Sequence, residues 1–318
     1  SFDQWPNSQG IRKSRGVIVR NTGPELRTTT LNTWKQWVPE TVCHITMAPI
    51  IAAKMIQPLQ DGTRVEMEVY FLALDNDADV KKLLGIECTW IFLNEARELP
   101  YSVVKAARER IGRFPSVIDG YQDAKGYIAP RDATGNLQPC KRKSLLMDTN
   151  PPPDDHWWYQ LAEEGCLKTA KDKDQAKQQV SEVFDFFRGP APLTKVGGKY
   201  EQNPLAENIE HLPGGYQYYF DMLAGNTDEH VNVMVLGNYG TIAEGRLVYP
   251  HYNDRMHCPE ARARAIKGLP IGLGWDFGLT PSLVIGQMTQ TVQLRTVAEL
   301  GAEDMDARAT LSAQALEA

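Results

Sequence analysis

Three apolar runs, each broken off by polar residues, stand out in the first half of the chain. Val17-Ile18-Val19 leads into Arg20-Asn21-Thr22-Gly23-Pro24, and Cys88-Thr89-Trp90-Ile91-Phe92-Leu93 leads into Asn94-Glu95. Ser144-Leu145-Leu146-Met147 leads into Asp148-Thr149-Asn150 and three prolines. Short continuous apolar runs are the mark of strands buried on both faces, as in a parallel sheet. Between them the pattern changes to helical spacing. Glu25 to Trp37 is predicted helical and stopped by Pro39, Asp75 to Gly85 is an acid-started, Gly-ended helix, and residues 100–112 form an amphipathic helix opened by a proline. Residues 64–75 alternate as a strand, and residues 10–16 (GIRKSRG) are predicted as a basic loop. Strands alternating with helices argue an α/β domain with a largely parallel sheet.

The pattern shifts twice more. Residues 167–179 are polar and expected at the surface; past Pro190, glycine, proline, asparagine and aromatics dominate, with one helix expected near 216–224. From Leu269 three short strands follow: Ile271 to Trp275 reaching Asp276, Ser282 to Met288, and Val292 to Val297 ending near Glu299. They predict an antiparallel meander. The expected divisions are 1–190, 191–262 and 263–318.

Composition narrows the reading. The 318 residues are 42% hydrophobic and 23% charged, which fits a globular chain and excludes a disordered, collagenous or coiled-coil one. No run approaches the ~18 apolar residues of a membrane span, and the opening SFDQWPNSQG lacks the basic start and apolar stretch of a leader. The net charge of −6 excludes a generally basic binder but leaves room for a local basic groove. Arg97, Lys105, Arg108, Arg110, Arg113, Lys141, Arg142 and Lys143 could supply one, or be a solvated face. The five cysteines form no CxxC pair, which predicts a reducing setting; His251, His257 and Cys258 lack further ligands at zinc spacing.

Chemistry is expected at the carboxyl ends of the parallel strands, where open α/β sheets place their ligands. An apolar strand ending in an acid pair is the Walker B position of P-loop nucleoside triphosphatases: one carboxylate helps hold Mg²⁺ and a following Glu orients the attacking water. Here Asn94 stands in the first position and Glu95 in the second, so metal affinity would lean on other ligands. Thr149 and Asn150 end the neighbouring strand as a rigid polar element, or simply cap it. Asp276 and Glu299 could approach each other and hold one or two divalent ions ~3.5–4 Å apart for phosphodiester hydrolysis.

In this order, the segments 19–39, 69–100, 110–116, 147–159 (MDTNPPPDDHWWY), 245–254 and 272–287 (GLGWDFGLTPSLVIGQ) resemble the large subunit of phage terminase. The resemblance implies a parallel-sheet P-loop-type ATPase core over 1–190, a small linking subdomain over 191–262, and the start of a ribonuclease H-like nuclease domain over 263–318. It implies ATP-driven translocation of double-stranded DNA into a capsid and cleavage of concatemeric DNA. ATP and Mg²⁺ would be the cofactors, with Mn²⁺ an alternative at the nuclease site. The implied partners are double-stranded DNA, the portal protein, the terminase small subunit and further copies in a ring; the implied location is the host cytoplasm, with no membrane. Glu95 matches the catalytic carboxylate, Asn94 the Walker B metal position, Thr149 and Asn150 the coupling motif, Arg20 a phosphate-side position, Asp276 the first nuclease acid and Glu299 the second. The family's phosphate-cradling loop has no counterpart here, since Gly197-Gly198-Lys199-Tyr200 lacks its frame. It is expected before residue 1 and the third nuclease acid beyond Ala318, so the chain reads as an internal piece of a longer protein or the product of a split gene. A non-catalytic remnant that retains DNA or partner binding is the alternative.

Overall fold

The computed structural model describes residues 3–74, 79–123, 126–127, 129–240, 264–276, 282–289 and 294–301. The chain divides into two compact units, Ser1–Ala243 and Glu244–Ala318. His251, His257, Cys258, the segment 245–254 and the first residues of the expected 75–85 helix lie outside the described residues.

The first unit opens with β1 (Ile11–Arg20), a ten-residue strand. The basic stretch 10–16 is therefore not a loop but the first half of this strand. Its cations are paired: Arg12 with Asp61 at 2.7 Å, Arg15 with Glu68 at 3.2 Å and Lys13 with Asp119 at 3.6 Å. A helical stretch follows, made of α1 (Gly23–Glu25), a π-helical turn over Leu26–Thr30, and α2 (Leu31–Trp37). Thr22 caps its start by accepting from the Glu25 N–H, and Pro24 sits where a missing N–H costs nothing. Then come β2 (Cys43–Thr46), β3 (Ile51–Pro58), β4 (Arg64–Ala73), α3 (Val80–Leu84), β5 (Trp90–Leu93) and α4 (Tyr101–Arg110). The short β6 (Gln122–Asp123) and β7 (Gly126–Tyr127) precede β8 (Ser144–Met147), α5 (Trp157–Ala162) and α6 (Lys173–Val183). The unit ends with a hairpin, β9 (Leu193–Val196) and β10 (Lys199–Gln202), and with α7 (Tyr216–Asp221) and α8 (Asp228–Met234). Gly197 and Gly198 turn that hairpin with φ of 56° and 81°, a conformation that glycine adopts without strain. Leu193, Val231 and Val235 form a small core under Tyr216, Tyr219 and Phe220.

Six strands make one sheet in the order β2-β3-β4-β1-β5-β8. β4, β1, β5 and β8 run parallel, and β3 and β2 extend the sheet antiparallel on one side. Alternation along β1 splits the core between the two faces. Val17 and Val19 join Ile91, Leu93, Val103, Val104 and Ala107 beneath α3 and α4. Ile18 joins Leu26, Leu31, Val69 and Phe71 beneath the 23–37 helical stretch. Among the described residues no helix is long and apolar enough to cross a membrane.

The described part of the second unit is a three-stranded antiparallel meander, β11 (Ile271–Asp276), β12 (Ser282–Met288) and β13 (Leu294–Gly301). Gln287, 2% exposed, accepts from the Ile266 N–H and donates to the Ile266 and Leu269 carbonyls, tying the entry segment to β12. The third strand starts and ends later than the 292–297 expected from the apolar pattern.

Gly16 of β1 lies opposite Trp90 of β5, and a Cβ built on Gly16 would fall within the Trp90 indole. Gly16→Ala should therefore destabilise the fold by about 1–3 kcal/mol through overpacking. A urea midpoint indistinguishable from wild type would contradict this packing.

Candidate active site at the parallel strand ends

Register decides which polar residues meet. Val19 pairs with Leu93, and Leu93 with Met147, so β1, β5 and β8 finish in one row. The ladder continues one step further: the Asn94 N–H donates to the Val19 carbonyl at 2.9 Å and the Asp148 N–H to the Leu93 carbonyl at 3.2 Å. Arg20, Asn94 and Asp148 thus follow side by side. They open, with Glu95, into a cavity of about 690 Å³ bounded by Thr29, Thr30, Trp34 and Trp37 of the first helical stretch.

Glu95 stands on a left-handed turn, with φ of 54° and ψ of 58°. A non-glycine residue there costs roughly 1–3 kcal/mol and persists only where its surroundings enforce it. The enforcing contacts come from the loop after β8. Asp148 Oδ1 accepts from the Glu95 N–H at 2.9 Å, the Asp148 carbonyl from the Ala96 N–H at 2.8 Å, and Thr149 Oγ1 from the Arg97 N–H at 3.2 Å. His156 and Trp157 close the turn by donating to the Arg97 and Leu99 carbonyls, each at 3.0 Å. Because His156 Nδ1 accepts from the Trp158 N–H as the cap of α5, its proton sits on Nε2. Burial, ahead of every other influence, pushes the pKa of His156 down.

The side chains divide their contacts unevenly. Asn94 is saturated: its Oδ1 accepts from Thr30 Oγ1 at 2.8 Å, and its Nδ2 donates to both Asp148 oxygens at 3.1 and 3.0 Å. Glu95 Oε2 is buried without a hydrogen-bond partner; its nearest cation is Arg97 Nε at 4.0 Å. Arg20 is 8% exposed and flanked by acids, with Nη2 at 3.3 Å from Glu98 and Nε at 3.6 Å from Glu25, while Nη1 has no hydrogen-bond partner. Burial pushes the Glu98 carboxyl up, and the Arg20 guanidinium opposes that rise.

Of the residues singled out from sequence, Arg20, Asn94 and Glu95 come together in the cavity. Thr149 spends its hydroxyl within the turn, accepting from Arg97 and donating to the Asn150 carbonyl at 2.9 Å. Neither Thr149 nor Asn150 is among the residues that line the cavity. Asp148 was passed over, although its place directly after an apolar strand is the same signal that marked Asn94. The basic residues of 97–143 do not converge on the cavity: Lys141 and Arg142 pair with Asp3, while Lys105 and Arg108 lie over the Tyr101 and Phe184 rings along a separate groove.

In the second unit, register sets position 276 opposite Ser282 and position 299 opposite Val284, which itself faces Gly274. The two acid positions thus occupy the strands flanking β12, two rows apart and in the same alternation; their side chains lie outside the described residues. Among the described residues no group of three or more His, Cys, Asp or Glu is placed to hold a metal.

No protein-family model matches the chain, and no curated protein matches it in sequence. Among solved structures it is similar in fold to the large terminase of a thermophilic bacteriophage, at 14% identity and a TM-score of 0.35, over 96% of this chain and 60% of that one. The same terminase in complex with ADP gives 14%, 0.37, 96% and 60%. A mutant ATPase domain of the Thermus phage P74-26 large terminase gives 13%, 0.32, 71% and 77%. The chain spans about 60% of the length of the first two. The likeness is one of fold, a mixed α/β arrangement.

His156 yields a pH prediction. Its folded pKa lies below the ordinary value near 6.5, so the unfolded chain binds more protons through that interval. Stability should be level above pH 6.5 and fall as pH drops below it, towards the lowered pKa. His156→Asn, which can still cap α5 but does not titrate, should flatten that part of the profile. Equal losses between pH 7.5 and 5.5 in the two proteins, by urea denaturation, would contradict the assignment.

Proposed function

We propose that the strand-end cavity is the hydrolytic part of an ATPase site and that the chain belongs to a DNA-packaging terminase large subunit. The observation that carries this reading is Glu95. Its carboxylate stands at the carboxyl end of a parallel strand, on an enforced left-handed turn, with one oxygen buried and free of hydrogen bonds. Such an oxygen can accept a proton from water and aim the water's lone pair at a γ-phosphorus. The water oxygen bonds to phosphorus, the bond to the bridging oxygen breaks, ADP leaves and the proton passes to the carboxylate or to solvent. Arg20, whose buried Nη1 has no hydrogen-bond partner, lines the same cavity and is suited to a phosphate oxygen.

Mg²⁺ is held by hard oxygens, one or two carboxylates plus substrate phosphates rather than a protein cage, and Glu95 is the carboxylate here that could supply one. The Asn94 oxygen is taken by Thr30, and both Asp148 oxygens accept from Asn94. When bound, the ion would neutralise charge on the phosphates. A phosphate-cradling strand, loop and helix would fit the same face. β8 has no strand partner beyond β5 among the described residues, and Ile18, Trp34, Trp90, Phe92 and Leu146 line the cavity with apolar surface. For the second unit we propose a divalent-metal nuclease site that uses Asp276 and Glu299, supported by their shared alternation about β12. Double-stranded DNA, a portal protein, a small subunit and further copies in a ring complete the proposal.

One observation favours a second reading, a binding protein without turnover: the end of β5, where a metal-holding acid would be expected, carries the neutral amide Asn94 with both polar atoms engaged.

Two substitutions in the complete protein test these readings together. Glu95→Gln should lower ATP turnover by about 10²–10³-fold with little change in KM. Asp276→Asn should abolish metal-dependent DNA cleavage and leave ATP turnover intact. Wild-type turnover by Glu95→Gln would contradict the ATPase site, wild-type nicking by Asp276→Asn would contradict the nuclease site, and no turnover in the unmodified protein would favour the second reading.

A further inference from the structure

Resting on the ATPase reading of Glu95, we infer that Asp148 is the positioning residue of this site, and that Asn94 is an amide because it must donate to Asp148. The hydrogen bonds form one directed chain across three elements. Thr30 Oγ1, on the π-helical turn, donates to Asn94 Oδ1 at 2.8 Å. The carboxylate, which only accepts, fixes which way the amide points: Nδ2 faces Asp148 and donates to both of its oxygens at 3.1 and 3.0 Å, leaving Oδ1 for the Thr30 hydroxyl. Asp148, held in this way, accepts the Glu95 N–H on Oδ1 at 2.9 Å. The left-handed turn that aims the Glu95 carboxylate is therefore set by a side chain on the neighbouring strand end.

The same chain accounts for the neutral residue at position 94. A carboxylate there would stand about 3 Å from the Asp148 carboxylate, and two carboxylates that close do not both stay ionised. The carboxylate stands on the neighbouring strand end: Asp148 accepts, Asn94 supplies the donor, and the Glu95 N–H shares the same acceptor. Asp148 acts through Glu95 and need not touch the nucleotide.

The test is a reciprocal exchange in the complete protein. Asp148→Ala should lower kcat by about tenfold or more, because a misplaced catalytic group loses rate steeply, while KM for ATP stays within about threefold. Asn94→Asp should be similarly impaired, because it removes the amide donor and sets two carboxyl groups about 3 Å apart. The double variant Asn94→Asp with Asp148→Asn reverses the donor and acceptor, keeps an acceptor for the Glu95 N–H, and should return kcat to within about threefold of wild type. Wild-type kcat in Asp148→Ala, or an exchange no better than the poorer single variant, would overturn the role. Recovery of melting temperature without recovery of kcat would also overturn it, leaving Asp148 a fold contact only. Glu95→Gln in the same assay separates the levels. If it turns over like wild type, the ATPase reading fails and this role with it; if it is inactive and the exchange fails, only the role of Asp148 falls.

Discussion

The parallel register of β1, β5 and β8 is the constraint on which the site depends. Val19, Leu93 and Met147 lie in one row, so the three chains leave the sheet together and Arg20, Asn94 and Asp148 emerge as neighbours. A slip of one residue in any strand would send its polar residue to the opposite face and its apolar residues out of the core. Gly16 helps to lock the register, since it leaves the space that the Trp90 indole fills. The ladder bonds from Asn94 and Asp148 extend this order one residue beyond the strands, as far as the residues that line the cavity.

Charge is arranged around that row so that two groups stay underused. Arg20 is buried between Glu25 and Glu98 yet leaves Nε and Nη1 without hydrogen bonds; Glu95 Oε2 also lacks one, with Arg97 Nε 4.0 Å away. Buried polar atoms without hydrogen bonds are costly, so a folded protein rarely gathers several around one cavity, here on Arg20, Trp34 and Glu95, unless a ligand satisfies them. On the proposed ATPase reading, a phosphate ester would take up the Arg20 donor and its attacking water the Glu95 carboxylate.

The parallel strands were legible from apolar runs such as Trp90–Leu93 and Leu145–Met147, although β8 ends the sheet and leaves Leu146 exposed instead of burying both faces as such a run predicts. The meander 271–301 read from its short apolar alternation. β2 and β3 went unread because Met47 to Ile50 breaks the pattern with a proline and β3 alternates only in its second half. The run 10–16 looked like a loop because sequence shows its charges but not Asp61, Glu68 and Asp119, which neutralise them across the fold. Near 216–224 a single helix was expected, and the structure adds α8, whose Thr227 cap and acidic first turn are plain in hindsight. In the site, Glu95 and Arg20 were legible from their strand-end positions. The importance of Asp148 was not, because it arises from a contact 54 residues away in sequence.

The most direct measurement of the central claim is a structure of the complete protein with ADP and aluminium fluoride, which mimics the phosphoryl group in flight. The account predicts the fluoride within hydrogen-bond distance of Arg20 Nη1 and an in-line water held by Glu95 Oε2, with Asp148 still accepting from Asn94 and from the Glu95 N–H. A nucleotide seated away from the ends of β1, β5 and β8, with Glu95 out of reach of any water near the fluoride, would contradict it.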